Sequence, residues 1–373
     1  MRDNVQHLKE EENDFYSDDD LFKISSWGAD LSFRELIDRY RDEELIKPEL
    51  QRNYVWDKTE ASRFIDSLLL GLPVPSIFLA KTSDEKMLII DGYQRVMTVY
   101  DYVRGIFSGD NRVFKLSRSE KINSRWRGKA FSELGDAEQR RIRNTTIHAI
   151  IFIQEHPSRD DTSLYQVFER INTSGRTLMP QEIRNCVNQG SFNELLFDLN
   201  RYPNWRILFG TEEDNRMRDM EFILRFFALH PDEVNAIDKE RISLKKHLNQ
   251  FMKRHQDIDG VEYENLKNTF IESIDLILNT WGESAFHNLS PSDPNRLVRK
   301  FSPTIFDSIS NAAAMAIETG LTLAPGDAET NRRRLIRDDS YRSAISKETM
   351  RKDSIETRIS LAYSYLFGDG YEQ

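Results

Sequence analysis

The chain has 373 residues, enough for two compact units, and 39% of them are hydrophobic, ample for a buried core. Its formal net charge of −10 argues against a protein that wraps nucleic acid over its whole surface, because local patches would have to overcome phosphate repulsion. No run of about 18 apolar residues occurs, nor a basic start followed by an apolar stretch, so neither a membrane span nor secretion is indicated and a cytoplasmic protein is expected.

Residues 1–20 hold eight acidic and two basic side chains with almost no apolar periodicity, the pattern of a mobile acidic tail. From residue 21 to about 185, strand and helix signals alternate: a short strand at 22–24, a helix over 32–40, then the polar and aromatic element Gln51-Arg52-Asn53-Tyr54-Val55-Trp56. That element precedes a capping-box start, Asp57 to Glu60, and the amphipathic run Phe64, Ile65, Leu68 and Leu69, which predicts a helix ending at Leu70. Strands follow at 77–80 and 87–90, and a further strand at 147–153 closes this part. Such alternation indicates an α/β unit with a small sheet.

The second of these strands is the most informative stretch. An apolar run, Met87-Leu88-Ile89-Ile90, enters a tight Asp91-Gly92 turn and then a helix through Tyr93-Gln94-Arg95. Phosphates bind at such junctions, because glycine lets a ligand approach the backbone and the first helical turn offers unpaired N–H groups and the positive end of its dipole. Arg95 adds a cation, Gln94 can donate its amide to a phosphate or ribose oxygen, and Asp91 can hold a metal ion or orient a water. Asp91 followed by Gln94 three positions later is equally a capping box, a helix start that needs no ligand. Farther on, a helix around 165–170 ends in Ile171-Asn172-Thr173-Ser174-Gly175-Arg176 before a new start near Pro180; with Gly175 left-handed, this also reads as an ordinary helix end.

Two segments depart from the overall negative charge. Residues 112–143 carry ten basic against four acidic residues, with Trp126 between Arg125 and Arg127, and residues 331–352 carry eight against three. Each is either a solvated helix face or a nucleic-acid or partner surface, with Trp126 a candidate for stacking on an exposed base. Beyond residue 186 the periodicity is helical: Phe222, Ile223, Phe226 and Phe227, then Leu244, Leu248, Phe251 and Met252, then segments 271–281, 305–317 and 355–366, separated by loops at 288–295 and 320–326. Cys186, the only cysteine, reads as a buried structural thiol rather than a nucleophile. The seven histidines have no zinc-site spacing, and no P-loop occurs. His287-Asn288 is the one local candidate for a nuclease of HNH type, without the second element such a site needs.

Taken in order, Gln51, Arg52, Tyr54 and Trp56, then Gly71-Leu72-Pro73-Val74-Pro75, then Asp91-Gly92-Tyr93-Gln94-Arg95, and last Asn172 to Leu178 with Glu182 resemble the N-terminal domain family of the GmrSD-type restriction endonucleases. The resemblance covers roughly residues 20–190. It extends more weakly through Arg218-Asp219-Met220-Glu221-Phe222 and residues 301–308, which look like segments of stand-alone members lacking the C-terminal HNH nuclease domain. The family signature usually reads Asp-Gly-Gln-Gln-Arg, and this chain has Tyr93 at the first glutamine position. The resemblance implies an α+β fold: a ParB- and sulfiredoxin-like small mixed sheet with helices over residues 21–185, followed by an all-helical region over 186–373.

The resemblance also implies a nucleoside triphosphate with Mg²⁺ as cofactor, held by Arg52, Gly92, Tyr93, Gln94, Arg95, Asn172 and Ser174. Asp91, Gln94 and Arg95 would carry hydrolysis, Asp91 as the Mg²⁺ ligand. The expected function is a nucleotide-binding, hydrolysing sensor or regulator of a bacterial restriction or anti-phage system that works with a separate nuclease and does not cut DNA by itself. Two rivals from other classes are a nucleotide-gated DNA-binding module using residues 112–143 and 331–352, and an antitoxin-like inhibitory adaptor for a partner nuclease. No membrane partner is expected, and self-association into a homo-oligomer stays open.

Overall fold

Ser32 ends the first strand and opens the first helix. Its backbone is extended (φ −73°, ψ 150°), and its hydroxyl accepts the Glu35 N–H at 3.2 Å, satisfying a donor that has no partner inside the helix. The structure is a computed structural model that describes residues 5–6, 23–46, 56–82, 85–156, 167, 179–214, 216–290, 292–293 and 296–368. The chain forms two compact units: one of Asp19–Leu178 and Asn185–Val187, the other of Met1–Asp18, Met179–Arg184 and Asn188–Gln373.

The first unit runs β1 (Lys23–Ser32), α1 (Phe33–Arg41), β2 (Leu45–Ile46), α2 (Lys58–Leu70), β3 (Ile77–Lys81), β4 (Met87–Asp91), α3 (Tyr93–Arg104), β5 (Ile106–Phe107), β6 (Arg112–Val113), α4 (Asp136–Asn144) and β7 (Thr146–His156). Five strands make one mixed sheet in the order β1-β7-β3-β4-β2: β7 is antiparallel to β1 and parallel to β3, and β4 is antiparallel to β3 and parallel to β2. Strand alternation sends Ile77, Leu79, Ile147, Ala149 and Ile151 into one apolar core with Leu36 of α1, Ile65 and Leu68 of α2, and Val96 and Val99 of α3.

The capping box predicted for α2 is present, with Asp57 accepting from the backbone of Thr59 and Glu60, and the helix ends at a left-handed Gly71. β1 differs from the expectation. It spans ten residues, not three, because pairing with β7 along its whole length holds a sequence that lacks a continuous apolar run. Phe22, in the expected strand, lies outside the described residues.

The second unit is helical. It contains α5 (Pro180–Val187, shared with the first unit), α6 (Ser191–Asn200), α7 (Pro203–Phe209), α8 (Arg218–Ala228), α9 (Pro231–Asn235), α10 (Leu244–Arg254) and α11 (Gly260–Trp281). A hairpin of β8 (His287–Leu289) and β9 (Leu297–Phe301) leads to α12 (Pro303–Thr319), α13 (Ala328–Arg337), α14 (Asp339–Ser346) and α15 (Lys352–Phe367). The stripes predicted on α8 and α10 face the core. Trp205, fully buried, meets Phe270 and Phe306 at ring separations of 5.8 and 5.6 Å, and Phe222 meets Phe301 at 4.7 Å. Each such pair contributes about 0.5–1.5 kcal/mol beyond its burial.

Two expectations need correction here. The region is not all helical, because the segment expected as a loop at 288–295 begins inside the β8–β9 hairpin. The acidic stretch 1–20 is docked where it is described: Val5 is buried and bridges Phe301, and Gln6 N–H donates to the Phe301 carbonyl at 2.8 Å. The remainder of that stretch lies outside the described residues.

Polar side chains also occupy the helical core. Asp307 of α12 accepts Arg225 Nη2 at 2.6 Å and Arg358 Nη2 at 3.0 Å, and all three side chains are at most 1% exposed. Arg184 of α5, 1% exposed, donates to Gln181 at 2.7 Å and Asn249 at 3.3 Å and pairs with Glu221. Cys186 is buried, as expected of a structural thiol.

Candidate functional site

The end of β4 turns into α3 through Gly92, whose φ of 100° belongs to the left-handed region. A Cβ there would sit 2.3 Å from Ile77 Cγ2 and 2.9 Å from Ile77 Cβ. Glycine is therefore dictated by the backbone and by Ile77 of the neighbouring strand, where the sequence suggested close approach of a ligand.

The alternative capping-box reading fails at the same place. Gly92 is the N-cap, no side chain caps the helix, and Asp91 belongs to the strand. The Asp91 carboxylate accepts Arg95 Nη2 at 2.6 Å, and the two side chains are 29% and 14% exposed. Arg95 Nη1 also donates to the carbonyls of Pro75 at 2.9 Å and Ser76 at 2.5 Å. One guanidinium in the first turn of α3 thus ties together the end of β4 and the segment leading into β3. The acceptors on that segment were not foreseen, although Gly71-Leu72-Pro73-Val74-Pro75 stood out in the sequence.

Gln94 faces α2, its Oε1 accepting the Trp56 N–H at 3.4 Å, while the Trp56 ring meets Phe64 edge-on at 5.6 Å. The Gln51–Trp56 element therefore ends at the junction. Tyr93 points inward. It is 5% exposed, and burial, reinforced by Tyr40 and Asp101, pushes its hydroxyl pKa well above the usual value. The ring at the position where the family signature has glutamine is thus a core group. Arg52, Asn172 and Ser174 lie outside the described residues, as do Gln51, Tyr54 and Leu178.

Asp91 offers one carboxylate. Among the described residues no three His, Cys, Asp or Glu side chains gather into a metal site, so Mg²⁺ at Asp91 would take most of its ligands from phosphate and water, as it commonly does. On that basis the residues fit a metal–phosphate ligand, provided Asp91 and Arg95 part from each other.

The expected stacking role of Trp126 is overturned. The indole is 3% exposed and donates to Asp66 of α2 at 2.5 Å, and the same carboxylate accepts the Asn123 N–H at 3.2 Å. A tryptophan between two arginines resembles a base-stacking platform, and Asp66, 60 positions away in sequence, carried no local signal. Arg127 is likewise spent on the Ile122 carbonyl. Exposed and without ion-pair partners among the described residues are, among others, Arg112, Arg118, Lys121 and Arg140. In the second basic segment Arg332 is fully buried, and Lys352 donates to the carbonyls of Asn235 and Ile237 at 3.0 Å each.

These landmarks, from α1 through the Asp91–Arg95 junction to α5, fall within a recognised stretch. Residues 33–188 match the family model of the GmrSD restriction endonuclease, N-terminal domain. The match points to involvement in a restriction system. No curated protein matches the chain. No helix among the described residues is long and apolar enough to cross a membrane.

Proposed function

We propose that this protein is a nucleoside-triphosphate-binding, hydrolysing regulator of a restriction or anti-phage system that acts with a separate nuclease. The observation that carries the reading is the Asp91–Arg95 pair at a strand–glycine–helix junction inside the matched domain. A carboxylate and a guanidinium that neutralise each other are also complementary to a metal–phosphate ligand. Asp91 would hold the cation and Arg95 a phosphate oxygen, so that neither charge would be left unpaired. Mg²⁺ when bound would supply Lewis-acid polarisation of the phosphate. Gln94 would orient the water or hold a phosphate oxygen, and the first-turn N–H groups of α3 would add donors. Arg52, Asn172 and Ser174 keep the ligand-contacting roles the family resemblance implies.

Phosphate release from the four ribonucleoside triphosphates with Mg²⁺ tests this reading. Asp91→Asn is the informative variant, because it keeps an acceptor for Arg95 while weakening cation binding. The expected result is Mg²⁺-dependent release by the natural protein and its loss in the variant at unchanged melting temperature. No release and no triphosphate binding by the natural protein would end the reading.

The exposed Arg112, Arg118, Lys121 and Arg140 favour a second reading, nucleotide-gated DNA binding, in which retention on DNA weakens steeply with salt. The adaptor reading predicts instead a salt-insensitive partner surface.

A further inference from the structure

The β8–β9 hairpin of the helical unit builds a second polar site. Period-two alternation places Leu297, Arg299 and Phe301 on one face of β9, and the register sets His287 of β8 opposite Phe301. Together with Ile207 and Phe209 at the end of α7 and Glu283 in the turn after α11, Leu297, Arg299 and His287 line a recess of about 680 Å³. That volume lies in the range of small-molecule sites.

Three chemical groups there are uncommitted. Among the described residues, the side chains of Glu283, His287 and Arg299 form no hydrogen bond or ion pair, whereas the buried Arg332 is tied to Glu329 and to the Ser284 carbonyl. Ile207, 44% exposed, leaves apolar surface open in the same recess.

We propose that this recess binds a small phosphate-bearing ligand with a planar ring, of mononucleotide size, independently of the Asp91–Arg95 junction. Arg299 supplies the planar fork suited to phosphate oxygens, and the His287 imidazole stands beside it as a second donor. Ile207, Phe209 and Leu297 form the wall for a ring face, and Glu283 accepts from an amino group or sugar hydroxyl. The site binds and does no chemistry, so a restriction component carrying it would respond to a nucleotide distinct from the one at the junction.

The charged groups that act on His287 are Arg299 on its own hairpin, Arg332 on α13 and Glu283 in the turn. Burial and the two arginines push its pKa below the usual histidine value, with Glu283 opposing them. The imidazole is thus neutral at pH 7.5, and a phosphate brought beside it favours proton uptake. Proton uptake by His287 as pH falls from 7.5 toward 6 should offset part of the affinity that a phosphate monoester loses as it gains its own proton near pH ~6.

Fluorescence anisotropy of N-methylanthraniloyl-AMP titrated with the full chain tests the site. Saturable binding is expected in the natural protein and in folded Arg95→Ala, which lacks the junction's phosphate contact, and Arg299→Ala should weaken it about ten- to a hundredfold in either background, with the His287 contribution to the pH dependence lost in His287→Asn. Competition by inorganic phosphate and by adenosine separately would report the two halves of the recess. Arg299 is exposed, and an unchanged melting curve would show that its variant is folded. Absence of saturation at millimolar protein or probe, or equal binding by Arg299→Ala, would overturn the proposal. Loss of binding in Arg95→Ala but not in Arg299→Ala would move the ligand to the junction and sink this site while sparing the function proposed above. Arg299-dependent binding with neither triphosphate release nor triphosphate binding at the junction does the reverse.

Discussion

Two arginine–carboxylate clusters show how the same chemistry serves different ends. In the helical unit, Asp307 is clamped between Arg225 and Arg358 with every member at most 1% exposed. In the sheet unit, Asp91 and Arg95 make an equally short contact, but their side chains stay 29% and 14% exposed, and the arginine divides itself among three acceptors. Sealed charges cannot exchange partners without stranding an ion in low dielectric, so the first cluster specifies packing. The second stays open to water, and under the function proposed above an incoming cation and anion would replace each partner. Solvent access, more than bond length, separates a structural ion pair from one that can act as a switch.

The largest effect should come from attacking the sealed cluster. Asp307→Ala leaves two buried guanidinium groups without a carboxylate and should cost about 3–5 kcal/mol, read by urea unfolding; a loss under about 1 kcal/mol would mean that water reaches the cluster and erase the distinction. Arg95→Ala should cost less, about 1.5–3 kcal/mol, because it removes charge-assisted contacts at a partly open site. Its melting curve must therefore accompany any binding measurement, since Arg95 holds the Pro75 and Ser76 carbonyls as well as Asp91.

A pH scan probes the helical core without mutation. His247 is buried against the Ala228 carbonyl, and burial pushes its pKa below the ordinary 6.5. The folded state thus favours the neutral ring: the contribution to stability is full above pH 6.5 and is lost as pH falls from there through the depressed value. Melting temperatures at pH 7.5 and 5.5 should differ less in His247→Gln than in the natural protein, and an equal difference would remove His247 as a cause. The smallest stability change is expected for Glu at Arg112, Arg118 and Lys121, within about 0.5 kcal/mol for exposed residues. That triple variant should nonetheless flatten the salt dependence of DNA retention, and an unaltered slope would leave these residues as a solvated face.

Much of the fold was legible in the sequence because its signals are local. Asp57 and Glu60 announced α2, Phe222 through Phe227 announced α8, and the run before Asp91 announced β4. Long-range pairing was hidden: β1 is held by β7 over ten residues of weak propensity, and the loop expected at 288–295 is mostly the connection of the β8–β9 hairpin, whose flanking strands gave no signal of their own. At the junction, the sequence singled out Asp91, Gln94 and Arg95 but not their acceptors and neighbours. Pro75 and Ser76 enter through backbone carbonyls that carry no residue signature, and Ile77 explains Gly92 only once β3 lies beside β4. Trp126 failed for a related reason, since its burial depends on Asp66 of another element.

Helix α5 carries a practical consequence. Its first residues, 180–184, lie within the matched range 33–188 yet pack in the helical unit, where Arg184 is sealed against Asn249 and Glu221. A fragment cut at residue 188 would keep the arginine and discard both partners, turning a satisfied cation into a solvent-facing defect at the new end of the chain. The boundary drawn by sequence similarity is therefore a poor place for scissors: a fragment meant to report on the junction should keep the whole helical unit, or it will measure the damage done by its own excision.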